Sequence, residues 1–126
     1  ESSSPIPHEI SQKLTEIEKL PGWCLREKAT ELVRYTLRER PRIGVEVGVF
    51  GGRSILPVAL AMQAYGGVVY GVDPWDRRPA LAGMTDPLQK EWWEKWDADG
   101  VFSTFSQAVS SLLPNIGVSF SLKFLT

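Results

Sequence analysis

Several residue types are scarce in this 126-residue sequence, and each scarcity excludes a kind of protein. The single cysteine, Cys24, cannot form an internal disulfide, which favours a reducing compartment and predicts a cytoplasmic protein. The single histidine, His8, stands near the N-terminus, where we interpret it as an exposed polar residue. Asp97 and Asp99 have no histidine or third carboxylate beside them in the sequence, so we expect no metal site.

Charge of one sign and long apolar runs are also lacking. The 14 basic and 15 acidic residues leave a formal net charge of −1, so we expect no nucleic-acid partner. No stretch approaches the ~18 apolar residues of a membrane span, and the N-terminus reads E-S-S-S-P-I-P without the features of a signal peptide. We therefore expect no membrane partner and one globular domain over residues 1–126.

Two amphipathic helices are predicted before the first strand. Apolar residues at helical spacing predict one helix over His8–Leu20 and another over Trp23–Arg40, with Pro21-Gly22 between them. Residues 1–41 are therefore expected to form a helical lead-in, and residues 42–126 a β–α–β–α–β core.

The core is predicted to be a parallel α/β sheet of about three strands. Strands are expected at Ile43–Val47, at Val68–Val72 and over Gly117–Thr126. A helix over Arg53–Tyr65 joins the first two strands, and a helix over Asp99–Leu113 leads to the third. We expect Arg77–Pro87 to be a loop that covers a ligand site.

The segment Arg42–Ser54, R-I-G-V-E-V-G-V-F-G-G-R-S, predicts a strand, a sharp turn and a helix. Gly48 can adopt backbone angles that other residues avoid, and we expect Gly51 and Gly52 to let a ligand lie against the main chain. Such a turn fits a nucleotide-like ligand.

Two side chains of this segment narrow the choice of ligand. Phe50 stands where dinucleotide sites carry the glycine that meets the pyrophosphate, so its ring argues against NAD. Glu46, at the strand end, suits a cationic ligand better than an anionic one. An NAD-type oxidoreductase is therefore the least favoured hypothesis.

Asp73 follows the second predicted strand, at the distance from the glycine turn where an acidic residue of a βαβ unit accepts hydrogen bonds from ribose hydroxyls. Its alternative role is that of a turn or capping residue before Pro74. Asp76 is open to two interpretations, a ligand contact or a surface pair with Arg77 or Arg78.

A tryptophan-rich helix is predicted over Leu88–Asp97, capped by Asp86 with Pro87 at its first position. Trp92, Trp93 and Trp96 would pack this helix on the sheet, line a substrate cleft or face a partner. We favour core or partner contacts, because the sequence shows no polar residue that converges with them.

The segment Arg42–Ser54 resembles motif I of the class I S-adenosylmethionine-dependent methyltransferases, and it is similar to a subgroup with small-molecule or glycan acceptors that reads E-[IV]-G-[VS]-x-x-G-R-S. The run M-T-D-P-L-x-K-E-W-W at Met84–Trp93 is similar to a segment of the same subgroup. The resemblance implies a partial Rossmann-like, doubly wound fold with S-adenosylmethionine as cofactor. It implies cofactor contacts from Glu46, Gly48, Val49, Phe50, Gly51, Gly52, Arg53, Ser54, Asp73, Pro74 and Trp75.

The resemblance also assigns roles. Glu46 would meet the amino group or fix the turn, the glycine turn would line the methionine moiety, and Arg53 and Ser54 would meet its carboxylate. Asp73 would hold the ribose, with Pro74 or Trp75 near the adenine.

This resemblance extends over nearly the whole chain but over only the first half of the family fold. The acidic segment that faces the methyl group in the family has no counterpart here, so the catalytic residues are unassigned. We expect the cofactor-binding half of a methyltransferase, incomplete for catalysis, through truncation or as a naturally shortened protein. The alternative is a non-catalytic α/β nucleotide-binding or dimerisation module. In both cases we expect a homodimer through an exposed sheet edge or the tryptophan helix.

Overall fold

A computed structural model describes residues 4–114 and 121–125 of the chain. Within these ranges the backbone forms six helices and a three-stranded sheet. In chain order the elements are α1 (His8–Ile17), α2 (Arg26–Glu39), β1 (Ile43–Val47), α3 (Ile55–Gln63), β2 (Val68–Val72), α4 (Arg77–Leu81), α5 (Pro87–Glu94), α6 (Ala98–Leu112) and β3 (Ser121–Leu125).

The sheet is parallel, with β2 between β1 and β3. Ile43 pairs with Val68, and Val68 pairs in turn with Ser121. The predicted α/β class and the first two strands are confirmed, both strands with the expected bounds. The third strand begins at Ser121, and the earlier part of its predicted range, 117–120, lies outside the described residues.

One face of the sheet is covered by a helix, whereas the other face of β1 is exposed to solvent. Strand geometry places Gly44 and Val69 side by side on one face, where α3 packs so closely that a Cβ on Gly44 would lie 3.6 Å from the sulfur of Met62. The other face of β1 presents a row of apolar side chains to solvent: Ile43 is 65% exposed, Val45 65% and Val47 81%. We call these three residues the β1 row.

The helical lead-in packs on α3. Helices α1 and α2 contact it through the apolar stripes predicted from the sequence, and α3 itself is almost entirely apolar. The buried side chains of the three helices include Ile10, Leu14, Ile17, Ala29, Val33, Ile55, Leu56, Ala59, Leu60 and Met62. These helices therefore bury one side of the sheet in the core.

The predicted start of the second helix at Trp23 is wrong, because α2 begins at Arg26. The Arg53 guanidinium donates to the carbonyl oxygen of Cys24 at 3.0 Å, with longer contacts to the carbonyls of Leu20 and Gly22 at 3.5 Å. These carbonyls are thus bound by a residue distant in sequence, and the segment before Arg26 stays outside the helix.

The predicted loop over Arg77–Pro87 is also wrong in part, because it contains the short helix α4. The Asp76 carboxylate accepts a hydrogen bond from the Arg78 amide at 2.9 Å and so caps this helix. The cap of α5 is confirmed, since Asp86 accepts from the Leu88 amide and Pro87 opens the helix.

Helix α6 is anchored by Phe105, whose side chain is fully buried. The ring lies against the turn after β1, where a Cβ on Gly52 would sit 2.5 Å from it. It also stacks on Trp75 with a centroid separation of 5.6 Å. This contact therefore joins α6 to the turns that follow β1 and β2.

We predict that Gly52→Ala destabilises the protein by about 2–4 kcal/mol, because the new methyl group would collide with Phe105 at a residue whose φ is +93°. Gly83→Ala is the matched control, since Gly83 has a φ of +73° but open space around the Cβ position. Only backbone strain, about 1 kcal/mol, is expected there. Urea unfolding measures both values, and equal losses would contradict the packing role of Phe105.

Candidate functional site

The carboxylate of Asp73 joins the turn after β2 to the turn after β1. Asp73 is buried at the carboxyl end of β2, and its two oxygens accept hydrogen bonds from the backbone amides of Phe50, at 2.9 Å, and Trp75, at 2.8 Å. The Trp75 indole Nε1 donates in turn to the Phe50 carbonyl at 2.9 Å. The turn role considered for Asp73 from the sequence is therefore present.

Both amides that Asp73 binds belong to residues with unusual backbone angles. Phe50 has a φ of +54° and Trp75 a φ of +45°, in the left-handed region that residues other than glycine rarely occupy. Such conformations persist where surrounding contacts enforce them. The three hydrogen bonds among these residues supply that enforcement and fix the directions of the two rings.

A cavity of about 420 Å³ opens at this edge of the sheet. Of the residues predicted to bind cofactor, Gly48, Phe50, Asp73 and Pro74 line it. No atom lies within 4 Å of the Cβ position at Gly48, so the main chain is open there. The volume lies in the range of small-molecule sites. The other lining residues are Trp23, Asp76, Pro79, Ala80, Trp93 and Trp96.

Other side chains in the predicted set point elsewhere. The Trp75 ring packs against Phe102 and Phe105 in the core, and Val49 is buried beside Gly71. The guanidinium of Arg53 binds the loop between α1 and α2. None of these side chains lines the cavity, because each of them packs against or binds other parts of the protein.

The expectation that Gly51 and Gly52 leave room for a ligand is wrong. A Cβ on Gly51 would collide with the carbonyl oxygen of Pro21, and one on Gly52 with the ring of Phe105. The space beside both residues is filled by the protein itself, so their small size serves close packing.

Glu46 lies behind the turn and does not line the cavity. Its Oε1 accepts a hydrogen bond from the Ser54 hydroxyl at 2.7 Å, and its buried Oε2 has no partner among the residues that the structure describes. Burial raises the pKa of the Glu46 carboxyl above its ordinary value, the Ser54 hydrogen bond opposes this shift, and the negative charge of Asp73 adds to it.

The cavity has an aromatic wall that sequence reasoning left without a function. Trp23, Phe50, Trp93 and Trp96 form this aromatic collar, with Phe50 at its centre: its ring centroid lies 4.8 Å from that of Trp23, 5.4 Å from that of Trp96 and 6.4 Å from that of Trp93. Trp93 and Trp96 thus line a cavity, the alternative that we favoured less, while Trp96 also packs against the core as we favoured. The clustering of three tryptophans in and just after α5 was the available signal.

A second, more polar cleft of about 560 Å³ shares Trp96 and Asp76 with the cavity. Its charged lining residues are Asp76, Arg77, Arg78, Lys95, Asp97 and Asp99. Three carboxylates and three cations offer no single charge preference, and the Asp97 carboxylate already caps α6 through the Gly100 amide. We therefore take the smaller cavity at the strand ends as the candidate site.

Within residues 4–114 and 121–125, no group of three or more histidine, cysteine, aspartate or glutamate residues is arranged to hold a metal ion. In the same part of the chain, no helix has the length and apolar character needed to cross a membrane.

Comparison with known proteins supports the fold. No protein-family model matches the sequence, and no curated protein matches it either. The structure is similar to that of the SAH-bound Podospora anserina methyltransferase PaMTH1, with a TM-score of 0.58 and 12% sequence identity, over 98% of this chain and 44% of that one. The chain thus has a methyltransferase-like fold and spans less than half the length of that structure.

We predict that Glu46→Gln gains stability over the unmodified chain as the pH rises. Because the folded protein holds the Glu46 proton more tightly than the unfolded chain does, the free energy of unfolding falls between the ordinary pKa of glutamate and the raised value. Glutamine does not ionise, so the variant does not lose this part of the free energy of unfolding. Urea unfolding from about pH 4 to about pH 8 measures the difference, with exposed Glu27→Gln as control. A pH-independent difference would contradict the assignment.

Proposed function

We propose that this chain is the cofactor-binding half of an S-adenosylmethionine-dependent methyltransferase. The observation that carries the proposal is the cavity at the carboxyl ends of β1 and β2, where Gly48, Phe50 and Asp73 meet. Open α/β sheets bind their ligands outside the carboxyl ends of the strands. The similarity to an SAH-bound methyltransferase agrees with this ligand class.

The Asp73 carboxylate has further hydrogen-bond acceptor positions that are available to a ribose. Each carboxylate oxygen offers two acceptor positions, and each Asp73 oxygen uses one of them for a backbone amide. The remaining positions would accept hydrogen bonds from ribose hydroxyls. Pro74, Pro79 and Ala80 line the same cavity and supply apolar surface for the adenine.

The methionine end would lie over Gly48, where the main chain is open. We assign to Glu46 the fixing of the turn through its hydrogen bond with Ser54. For Arg53 and Ser54 to meet the ligand carboxylate, they would have to exchange their present protein partners for it.

The chemistry would be an in-line displacement at the methyl group, in which the cofactor supplies the activated methyl and the protein supplies positioning. A small molecule or a glycan is the proposed acceptor class. Among the described residues, the lining of the cavity contains two aspartates and no lysine, arginine or histidine. A dinucleotide with its anionic pyrophosphate is disfavoured there.

The second candidate is a non-catalytic module that acts through a protein interface. The exposed β1 row is the observation that favours it. Parallel sheets are normally covered on both faces, and contiguous exposed apolar residues mark contact surfaces. We propose a second copy of this chain as the partner, because an apolar row without charges can meet its own equivalent across a two-fold axis.

We predict that Asp73→Asn weakens S-adenosylmethionine binding by about 1–3 kcal/mol, because a carboxylate acceptor for the ribose is lost. Isothermal titration calorimetry with S-adenosylmethionine, S-adenosylhomocysteine and NAD measures the affinities. The unmodified chain should bind the first two ligands and not NAD.

The control distinguishes an affinity loss caused by the missing ribose contact from one caused by disruption of the turn that Asp73 also stabilises. S-Adenosylhomocysteine and its 2′-deoxy analogue are titrated into both proteins. If Asp73 binds the ribose, the substitution should reduce affinity for the hydroxylated ligand more than for the deoxy analogue. Equal losses would assign Asp73 to the turn alone, and absence of adenosyl binding by the unmodified chain would contradict the proposed function.

We predict that Val45→Glu shifts the chain from dimer to monomer, because a charge in the β1 row would be desolvated at the interface. Analytical ultracentrifugation over a range of protein concentrations measures the change. Leu88→Glu, at another exposed apolar side chain, should leave the dimer intact. If Trp92→Glu dissociates the dimer and Val45→Glu does not, the tryptophan helix is the interface.

A further inference from the structure

The aromatic collar is built from three separate parts of the chain. Trp23 lies between α1 and α2, Phe50 lies in the turn after β1, and Trp93 and Trp96 lie in and just after α5. Phe50 and Trp96 are stacked at an interplanar angle of 17°, while Trp93 meets Phe50 edge-on at 86°. Trp23 is 67% exposed although it lines the cavity. The fold therefore gathers aromatic rings at a solvent-accessible opening.

The two charged residues that line the cavity beside the collar, Asp73 and Asp76, are both acidic. Among the residues that the structure describes, no lysine, arginine or histidine lines this cavity, and the Arg53 guanidinium near Trp23 binds the backbone carbonyls of Cys24 and Gly22. Asp76 forms an ion pair at 2.5 Å with Arg78, which lies outside the cavity, whereas Asp73 accepts hydrogen bonds from neutral backbone amides. Aromatic faces attract cations through their electron density, and a nearby carboxylate adds to the attraction.

The central ring of the collar is held rigidly. The Phe50 amide donates to Asp73, and its carbonyl accepts from the Trp75 indole, so the backbone at a φ of +54° is bound on both sides. A ring fixed in this way loses little conformational freedom when a ligand arrives. The collar is thus preorganised before a ligand binds.

We propose that the aromatic collar is a cation-selective subsite, which makes this cavity prefer the positively charged sulfonium of S-adenosylmethionine to the neutral thioether of S-adenosylhomocysteine. This inference rests on the proposed function and adds to it the residues that read the ligand's charge. An organic cation with a thin hydration shell is the ligand that aromatic faces beside a carboxylate recognise. S-Adenosylhomocysteine, which remains after methyl transfer and lacks the charge, would dissociate from the cavity more readily.

The test compares three ligands by calorimetry: S-adenosylmethionine, sinefungin, which carries an ammonium group at the corresponding position, and S-adenosylhomocysteine. The unmodified chain should bind the two charged ligands about five- to thirty-fold more tightly than the neutral one. Trp93→Leu and Trp23→Leu should bring this ratio towards one, mainly by weakening the charged ligands. Trp93→Phe, which keeps a ring, should retain most of the preference.

Trp92→Leu is the matched control, because Trp92 contacts Trp93 and Trp23 on the outside of the collar, at centroid separations of 4.8 and 6.0 Å, but does not line the cavity. It should leave the ratio unchanged. Thermal unfolding of each variant checks that the fold is intact, and the exposed Trp23 provides a variant that does not disturb the core. If all three ligands bind and the ratio is the same with and without the collar rings, the subsite is disproved while the proposed function stands. If no adenosyl ligand binds the unmodified chain, both are disproved.

Discussion

The hydrogen bonds that the Asp73 carboxylate accepts from Phe50 and Trp75 are the interaction on which the rest of this site depends. They hold two non-glycine residues in left-handed backbone conformations, which would be costly without them. The two rings then point in different directions, Phe50 to the cavity and Trp75 to Phe105 in α6. A buried amide left without its acceptor costs free energy, so one carboxylate supports both the site and the adjoining core.

The turn after β1 is enclosed by residues far away in the sequence. Pro21 fills the space beside Gly51, Phe105 fills the space beside Gly52, and Arg53 binds the loop that contains Pro21. Of the three glycines in this turn, Gly48 alone has no atom of the described residues within 4 Å of its Cβ position. The turn is therefore formed by protein contacts before any ligand arrives, which lowers the entropic cost of binding.

The surfaces proposed for ligand binding and for self-association lie on different parts of the sheet. The candidate site lies at the carboxyl ends of the strands, whereas the β1 row runs along a strand on the face opposite α3. A substitution in the row changes a surface that the cavity does not use. The two proposed functions therefore rest on different atoms, and each is tested without disturbing the other.

Local sequence signals account for the elements that form through contacts between near neighbours in the chain. The bounds of β1 and β2 follow from short β-branched runs, and the cap of α5 follows from Asp86 and Pro87, because these signals act over a few residues. The position of Asp73 at the end of a parallel strand followed from the same patterns. The helix α4 was missed because its cap at Asp76 lies within a segment rich in proline and glycine.

The residues that fill the space around the turn after β1 are brought there by the folding of the whole chain. The sequence could not show that Gly51 makes room for Pro21, that Arg53 binds the loop before α2, or that Trp23 packs directly against Phe50. These contacts join residues separated by more than twenty positions. They are chosen by the packing of whole helices against the sheet, and local propensity carries no information about that packing.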